Sequence, residues 1–280
     1  MDQKHIYDNL SEICSKSTTN LYSTSFSLGI LLFSREIRSH IYNIYGFVRL
    51  ADEIVDSFLE YEQKRLLKEF KEETHKAIDQ GISLNPILNS FQKTVRAYEI
   101  PRDLIDAFLL SMEMDLYKSA YSHTEVNKYI YGSAEVVGLM CLRVFCLNNC
   151  DLYDELAPHA RSLGAAFQKV NFLRDLKDDY EVLGRSYFAE IDFESLNCES
   201  KKQVEDNIQK DFHDALIGIR QLPASSRFGV YIAYIYYYSL FKKIKSLQFE
   251  TIAQQRVRIP NYSKYVLLVK SWFRYKLNLV

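Results

Sequence analysis

The 280-residue chain carries 35 basic and 36 acidic side chains, and a net charge of −1 argues against nucleic acid as a partner. Nine glycines and five prolines are few for this length, which favours long helices over a many-stranded sheet. The five cysteines (Cys14, Cys141, Cys146, Cys150, Cys198) form no Cys-x-x-Cys pair, and no apolar run is long enough to span a bilayer; reduced thiols in a cytoplasmic protein are expected.

No repeat, low-complexity tract or Pro/Gly/Ser linker interrupts the sequence, so a single all-α domain over 1–280 is expected. Hydrophobic pattern and punctuation predict helices over 4–16, 20–32, 36–59, 62–79, 86–98, 102–119, 124–148, 158–182, 201–221, 224–247 and 261–277. Asn85-Pro86, Ile100-Pro101 and Leu222-Pro223 place proline where a first helical turn tolerates it. Gly81 and Gly184 stand where helices end.

In the helix over 36–59, apolar residues from Ile41 to Val55 occupy nearly every side, the pattern of a buried helix. Tyr45, Arg49, Asp52 and Asp56 interrupt it. At ~100° per residue they share a face roughly 60° wide. Unpaired buried charge is costly, so these groups need partners. One reading is an internal Arg49–Asp52 ion pair with Asp56 in solvent. The other is a site for a hard cation held by carboxylate oxygens.

The helix over 158–182 repeats the device. Gln168, Asn171, Asp175 and Asp179 stand at i, i+3, i+7 and i+11, on a stripe roughly 80° wide. Arg174, Lys177 and Asp178 fall off it. Two oxygen-rich ladders converging without a cation would repel. Mg²⁺, or Mn²⁺ in its place, set between them and a phosphorylated ligand balances the charge.

The run Val230–Tyr238 has strand propensity, but apolar residues continue to Leu240, Phe241 and Ile244, so helix is predicted. Residues 251–280 hold Arg256, Arg258, Lys264, Lys270, Arg274 and Lys276 among aromatics, with no Asp or Glu. Such a segment is either a terminal helix packed on its domain or a peripheral contact to the inner face of a membrane.

Taken together, these residues resemble the squalene/phytoene synthase family. The likeness runs through Tyr22-Ser23-Thr24-Ser25-Phe26-Ser27, Arg49-Leu50-Ala51-Asp52-Glu53-Ile54-Val55-Asp56 and Tyr131-Gly132-Ser133-Ala134-Glu135-Val136-Val137-Gly138. It continues through Gln168-x-x-Asn171-x-x-Arg174-Asp175-x-x-x-Asp179, Gly184-Arg185-Ser186-Tyr187 and Arg256-Val257-Arg258-Ile259-Pro260. Glu135 departs from it, standing where a small residue is common.

The resemblance implies an isoprenoid synthase-type helical bundle around a central cavity. It implies head-to-head coupling of two prenyl diphosphates: geranylgeranyl diphosphate to phytoene in carotenoid biosynthesis, or farnesyl diphosphate to a dehydrosqualene or squalene-type product. A non-catalytic scaffold relative is the competing class, and the intact Asp motifs disfavour it. By position, Asp52, Asp56, Asp175 and Asp179 would bind Mg²⁺. Ser25, Arg49, Gln168, Asn171, Arg174, Arg185 and Arg256 would serve the diphosphates. Tyr45, Tyr131, Tyr187 and Tyr237 would be the catalytic positions facing the reaction chamber. Ser25 reads equally well as a helix-start serine. Without a Gly-x-Gly-x-x-Gly segment, no NADPH requirement is expected.

Overall fold

A computed structural model describes residues 3–117, 121–175, 198–248, 251–252 and 256–277. Regular structure among the described residues is helical throughout. In chain order the helices are α1 (Gln3–Tyr22), α2 (Thr24–Leu31), α3 (Arg35–Asp56), α4 (Gln63–Gln80), α5 (Pro86–Ala97), α6 (Arg102–Tyr117) and α7 (His123–Ile130). A π-helical turn, Tyr131–Glu135, joins α7 to α8 (Val136–Phe145). Then follow α9 (Cys150–Arg174), α10 (Cys198–Gln221), α11 (Ala224–Lys245) and α12 (Asn261–Lys276).

Local chemistry sets most of these limits. Asn85 caps α5 by accepting from the Ile87 and Leu88 amides, with Pro86 at the first helical position. Ser122 and Glu125 form a capping box on α7. Gly81 ends α4 at φ 71°, the left-handed region that favours glycine.

Three predicted boundaries are corrected. Helix α1 runs on to Tyr22 instead of stopping at 16, and the break falls at Ser23, whose side chain accepts from the Phe26 amide. Its patterning misleads because it buries Ser11, Ser15 and Thr19 while Ile6, Leu10 and Ile13 face out. Those small residues allow a close approach: a Cβ on Gly46 of α3 would stand 2.8 Å from Ser15 Oγ. Helix α9 starts at Cys150, capped by Asn149, and carries Pro158 inside it rather than in its first turn. The predicted helix over 124–148 is broken by the π turn.

The core of the first half is aromatic. Phe47 of α3 is fully buried and stacks on Phe91 of α5 with ring centroids 3.9 Å apart. It also meets Phe70 of α4 and Phe108 of α6. This packing fixes α3, so its opposite face is available to line a cavity.

Candidate active site

A cavity of about 670 Å³ lies between α2, α3, α6 to α11 and the segment carrying Arg256. Along α3 its lining passes from Ile41 and Ile44 through Tyr45 and Val48 to Arg49, Asp52 and Asp56. Along α9 it passes from Leu156, Ala160 and Leu163 through Phe167 to Gln168, Asn171, Arg174 and Asp175. Apart from His159 near the start of the α9 lining, both helices thus present apolar residues first and polar residues toward their C-terminal ends. At ~1.5 Å per residue, the α3 lining from Ile41 to Asp56 extends about 22 Å.

Tyr45 and Tyr237 draw the two polar ends together, since both pack against Phe26, at 5.6 and 6.4 Å between ring centroids. Tyr237 also stacks on Phe167 at 3.9 Å and contacts Asn171 and Arg174 through its hydroxyl. Burial pushes the Tyr45 phenol up to about 12, against a smaller opposing pull from Arg49. It is therefore a neutral hydroxyl at physiological pH. The sequence neighbours of Tyr237 turn elsewhere: the Tyr236 ring lies under Lys264, and Tyr238 meets Gln209.

Asp52 and Asp56 repel one another along one turn of α3. Arg49 pairs with Glu53 and sits 4.4 Å over the Tyr22 ring, leaving Asp52 Oδ2 at 3.8 Å from its Nη1. The Arg49–Asp52 pair is thus the weaker of two. Asp52 is surrounded by protein, and its 31% exposure opens onto the cavity. Burial pushes its carboxyl up to about 8; Asp56, Asp115 and Glu53 add repulsion that Arg49 only partly offsets.

Asp175 has the opposite surroundings. Arg174 donates Nε to its Oδ1 at 2.9 Å and Nη2 to its Oδ2, and Arg256 Nε approaches the same Oδ1 at 2.8 Å. Arg174, which the stripe argument set aside, therefore lines the cavity. Asn171 donates to Gln168 at 3.4 Å, while its own Oδ1 is buried with no hydrogen-bond partner.

Some predicted residues are placed differently or lie outside what is described. Tyr131 does not line the cavity; its ring lies 5.3 Å below Arg161, which pairs with Glu135. Tyr129, two residues earlier in the last turn of α7, lines it instead. Asp179, Arg185 and Tyr187 lie outside the described residues, as does the side chain of Ser25. Ser23 lines the cavity beside α2.

Asp115 of α6 is a site residue that the sequence argument passed over. It is 8% exposed, lines the cavity, and accepts hydrogen bonds from Tyr121 at 2.9 Å and Tyr129 at 2.7 Å. A signal existed: Phe108, Met112 and Asp115 share one helix face at i, i+4 and i+7, so a carboxylate sits on an apolar stripe.

Among the described residues no three His, Cys, Asp or Glu side chains converge to hold a metal. Even so, Asp52 with its raised carboxyl, Asp56, and the unpartnered Asn171 Oδ1 form an all-oxygen donor set on the cavity wall. That chemistry fits a hard divalent cation.

The sequence profile of squalene/phytoene synthases matches residues 19–263. The chain belongs to the squalene/phytoene synthase family. Family membership makes it a prenyltransferase. It is 28% identical over 297 residues to the 15-cis-phytoene synthase of Synechocystis, covering 94% of this chain and 84% of that protein. It is 26% identical to phytoene synthase 1 of Solanum lycopersicum over 94% of this chain and 66% of the plant protein. Among solved structures, a dehydrosqualene synthase in complex with ligand superposes with a TM-score of 0.81 at 17% identity, covering 98% and 99% of the two chains. A squalene synthase from Alicyclobacillus acidocaldarius superposes at 0.74 with 19% identity, over 86% of this chain and 95% of that one. The family's all-α fold is therefore the fold of this chain.

Proposed function

We propose that this prenyltransferase condenses two geranylgeranyl diphosphates head to head (1′–1) to phytoene, releasing two diphosphates. The carrying observation is the gradient within one cavity: long apolar walls that end in carboxylates and guanidiniums on both α3 and α9. A prenyl chain matches the walls, and its diphosphate matches the polar end. The names of the phytoene synthase relatives support the longer substrate.

Arg49, Arg174 and Arg256 supply donors for diphosphate oxygens. Asp52, Asp56 and Asp175, with Asp179, would hold Mg²⁺, which when bound supplies Lewis-acid stabilisation of the leaving diphosphate. Loss of the first diphosphate leaves an allylic cation. The 2,3-double bond of the second chain attacks it, and loss of a proton closes a cyclopropane that still bears the second diphosphate. A second ionisation, rearrangement and proton loss give the hydrocarbon. The two protons balance the two departing diphosphates.

The faces of Phe26, Tyr45, Phe167 and Tyr237 surround the polar end and favour a passing cation through their ring quadrupoles. The same residues exclude water that would quench it. Asp115 holds the Tyr129 hydroxyl in place at the wall.

The test is incubation with geranylgeranyl or farnesyl diphosphate and Mg²⁺, with and without NADPH, followed by hydrocarbon analysis. A C40 product without NADPH supports the proposal. A C30 product from farnesyl diphosphate alone would assign the dehydrosqualene reaction, which the fold likeness to that synthase keeps as the second reading. Absence of any hydrocarbon from folded protein would sink both.

A further inference from the structure

Helices α10 and α11 each turn one face to the chamber and another away from it. On α10, Gly218 and Ile219 line the chamber. Gln209, His213 and Arg220 share a face roughly 150° round the same helix. On α11, Tyr237 lines the chamber, whereas Tyr231, Tyr234 and Tyr238 face away from it. The two outer faces, with Arg274 of α12 on a third side, bound a second cavity of about 260 Å³. The tyrosine-rich run of α11 therefore serves two cavities at once.

The lining of the second cavity is cationic. It holds Arg220, His213 and Arg274 and, among the described residues, no carboxylate. Two acids of α10 are engaged elsewhere: Asp211 pairs with Lys169 of α9, and Glu205 with Lys201 and Lys245. Behind the cations stand buried phenols, Tyr231 at 2% and Tyr234 at 6% exposure. With Tyr238 they form a ladder of stacked rings, with centroids 6.3 and 5.7 Å apart. Burial raises both phenols, Tyr234 to about 12, while Arg220 pulls the other way on each. They are neutral at physiological pH and give the cations no counter-charge. Guanidinium, imidazole and phenol groups round one recess match the oxygens of a phosphoryl group, which guanidinium meets in bidentate fashion. The volume lies at the low end for a ligand pocket and suits a small anion better than a prenyl chain.

We propose that this second cavity binds a small phosphorylated anion, at a site separate from the chamber and independent of which prenyl chain is coupled. Ile219 and Arg220 are adjacent on α10, one lining the chamber and the other the second cavity. The two sites thus share a wall one helix thick.

The test is calorimetric titration of the full chain with inorganic diphosphate, with EDTA present so that no divalent cation aids binding in the chamber. The parent should bind, and added NaCl should weaken the binding. Arg220→Gln should weaken it by about tenfold or more. Arg256→Gln, which removes a donor from the chamber, should leave it within about twofold. The reverse order would place the anion in the chamber and overturn the proposal. Turnover of Arg220→Gln should stay within about twofold of the parent, because Arg220 does not line the chamber. Loss of turnover together with binding would deny a separate site. His213→Gln should weaken binding several-fold, and it decides the matter should melting curves show that Arg220→Gln is unfolded. No binding by the parent, or unchanged binding by the folded variants of Arg220 and His213, overturns the proposal.

Discussion

Arg256, from the segment preceding α12, donates its Nε to Oδ1 of Asp175 at the end of α9 across 2.8 Å. The contact ties a residue late in the chain to the second acidic ladder. It also makes the guanidinium a rival of any cation for the same carboxylate. Arg256→Gln should therefore lower the Mg²⁺ concentration for half-maximal turnover several-fold while raising KM for prenyl diphosphate by roughly tenfold, as one diphosphate donor is lost. A Mg²⁺ titration of initial rates at several substrate concentrations checks both. Unchanged values of both would remove Arg256 from the site.

Asp52 has a folded-state carboxyl pushed from the ordinary 3.8 up to about 8. The folded protein thus binds the proton more tightly than the unfolded chain. Stability associated with this group is present below 3.8 and is lost as pH rises through about 8. Asp52→Asn removes that loss. Without Mg²⁺, the variant should melt higher than the parent at mildly alkaline pH and equal to it in acid, and Mg²⁺ should raise the parent selectively. Thermal melts across pH, with and without the cation, provide the measurement; a gap that widens toward acid would contradict the assignment.

Tyr129 and Tyr131 offer a direct contrast. Tyr129 lines the cavity with its hydroxyl on Asp115, while Tyr131 lies against Arg161. Tyr129→Phe should reduce turnover by roughly tenfold or more, whereas Tyr131→Phe should remain within about twofold of the parent. Steady-state kinetics of the two variants decide, and the reverse order would restore the role implied by the sequence resemblance.

Gly164 lets α9 close on the π turn. A Cβ there would stand 2.7 Å from the Ala134 carbonyl oxygen and 2.9 Å from Glu135 Cα, both backbone atoms that move only with the turn itself. Gly164→Ala should cost about 1–3 kcal/mol and lower Tm by several degrees. Calorimetry checks it; an unchanged Tm would show that the α9–π contact relaxes freely.

The acidic face of α3 was legible because the helix is regular over its whole length. A spacing of i, i+4, i+7 and i+11 placed Tyr45, Arg49, Asp52 and Asp56 together, and all four line the cavity. The described part of the second ladder, Gln168, Asn171 and Asp175, follows for the same reason. Tyr131 came from the family resemblance and not from periodicity, and the structure sets its ring against Arg161. Periodicity failed at α1, where Ser11, Ser15 and Thr19 are the buried face, a choice that depends on Gly46 across the interface. Asp115 reaches the site from α6 and Ser23 from the break between α1 and α2. Their convergence is a tertiary fact, visible only once the packing is known.

The π turn carries one more residue than a regular α-helical turn. Deleting a single residue within 131–135 would let α7 and α8 merge into an unbroken helix with better backbone hydrogen bonding. Because the wide turn absorbs its extra residue, the same deletion would leave α7 and α8 close to their present register, and the change would fall on the turn itself, where Gly132 meets α6 and Ala134 and Glu135 meet α9. Length in this one turn, as much as the identity of any side chain in it, therefore decides how α9 closes on the chamber wall at Gly164.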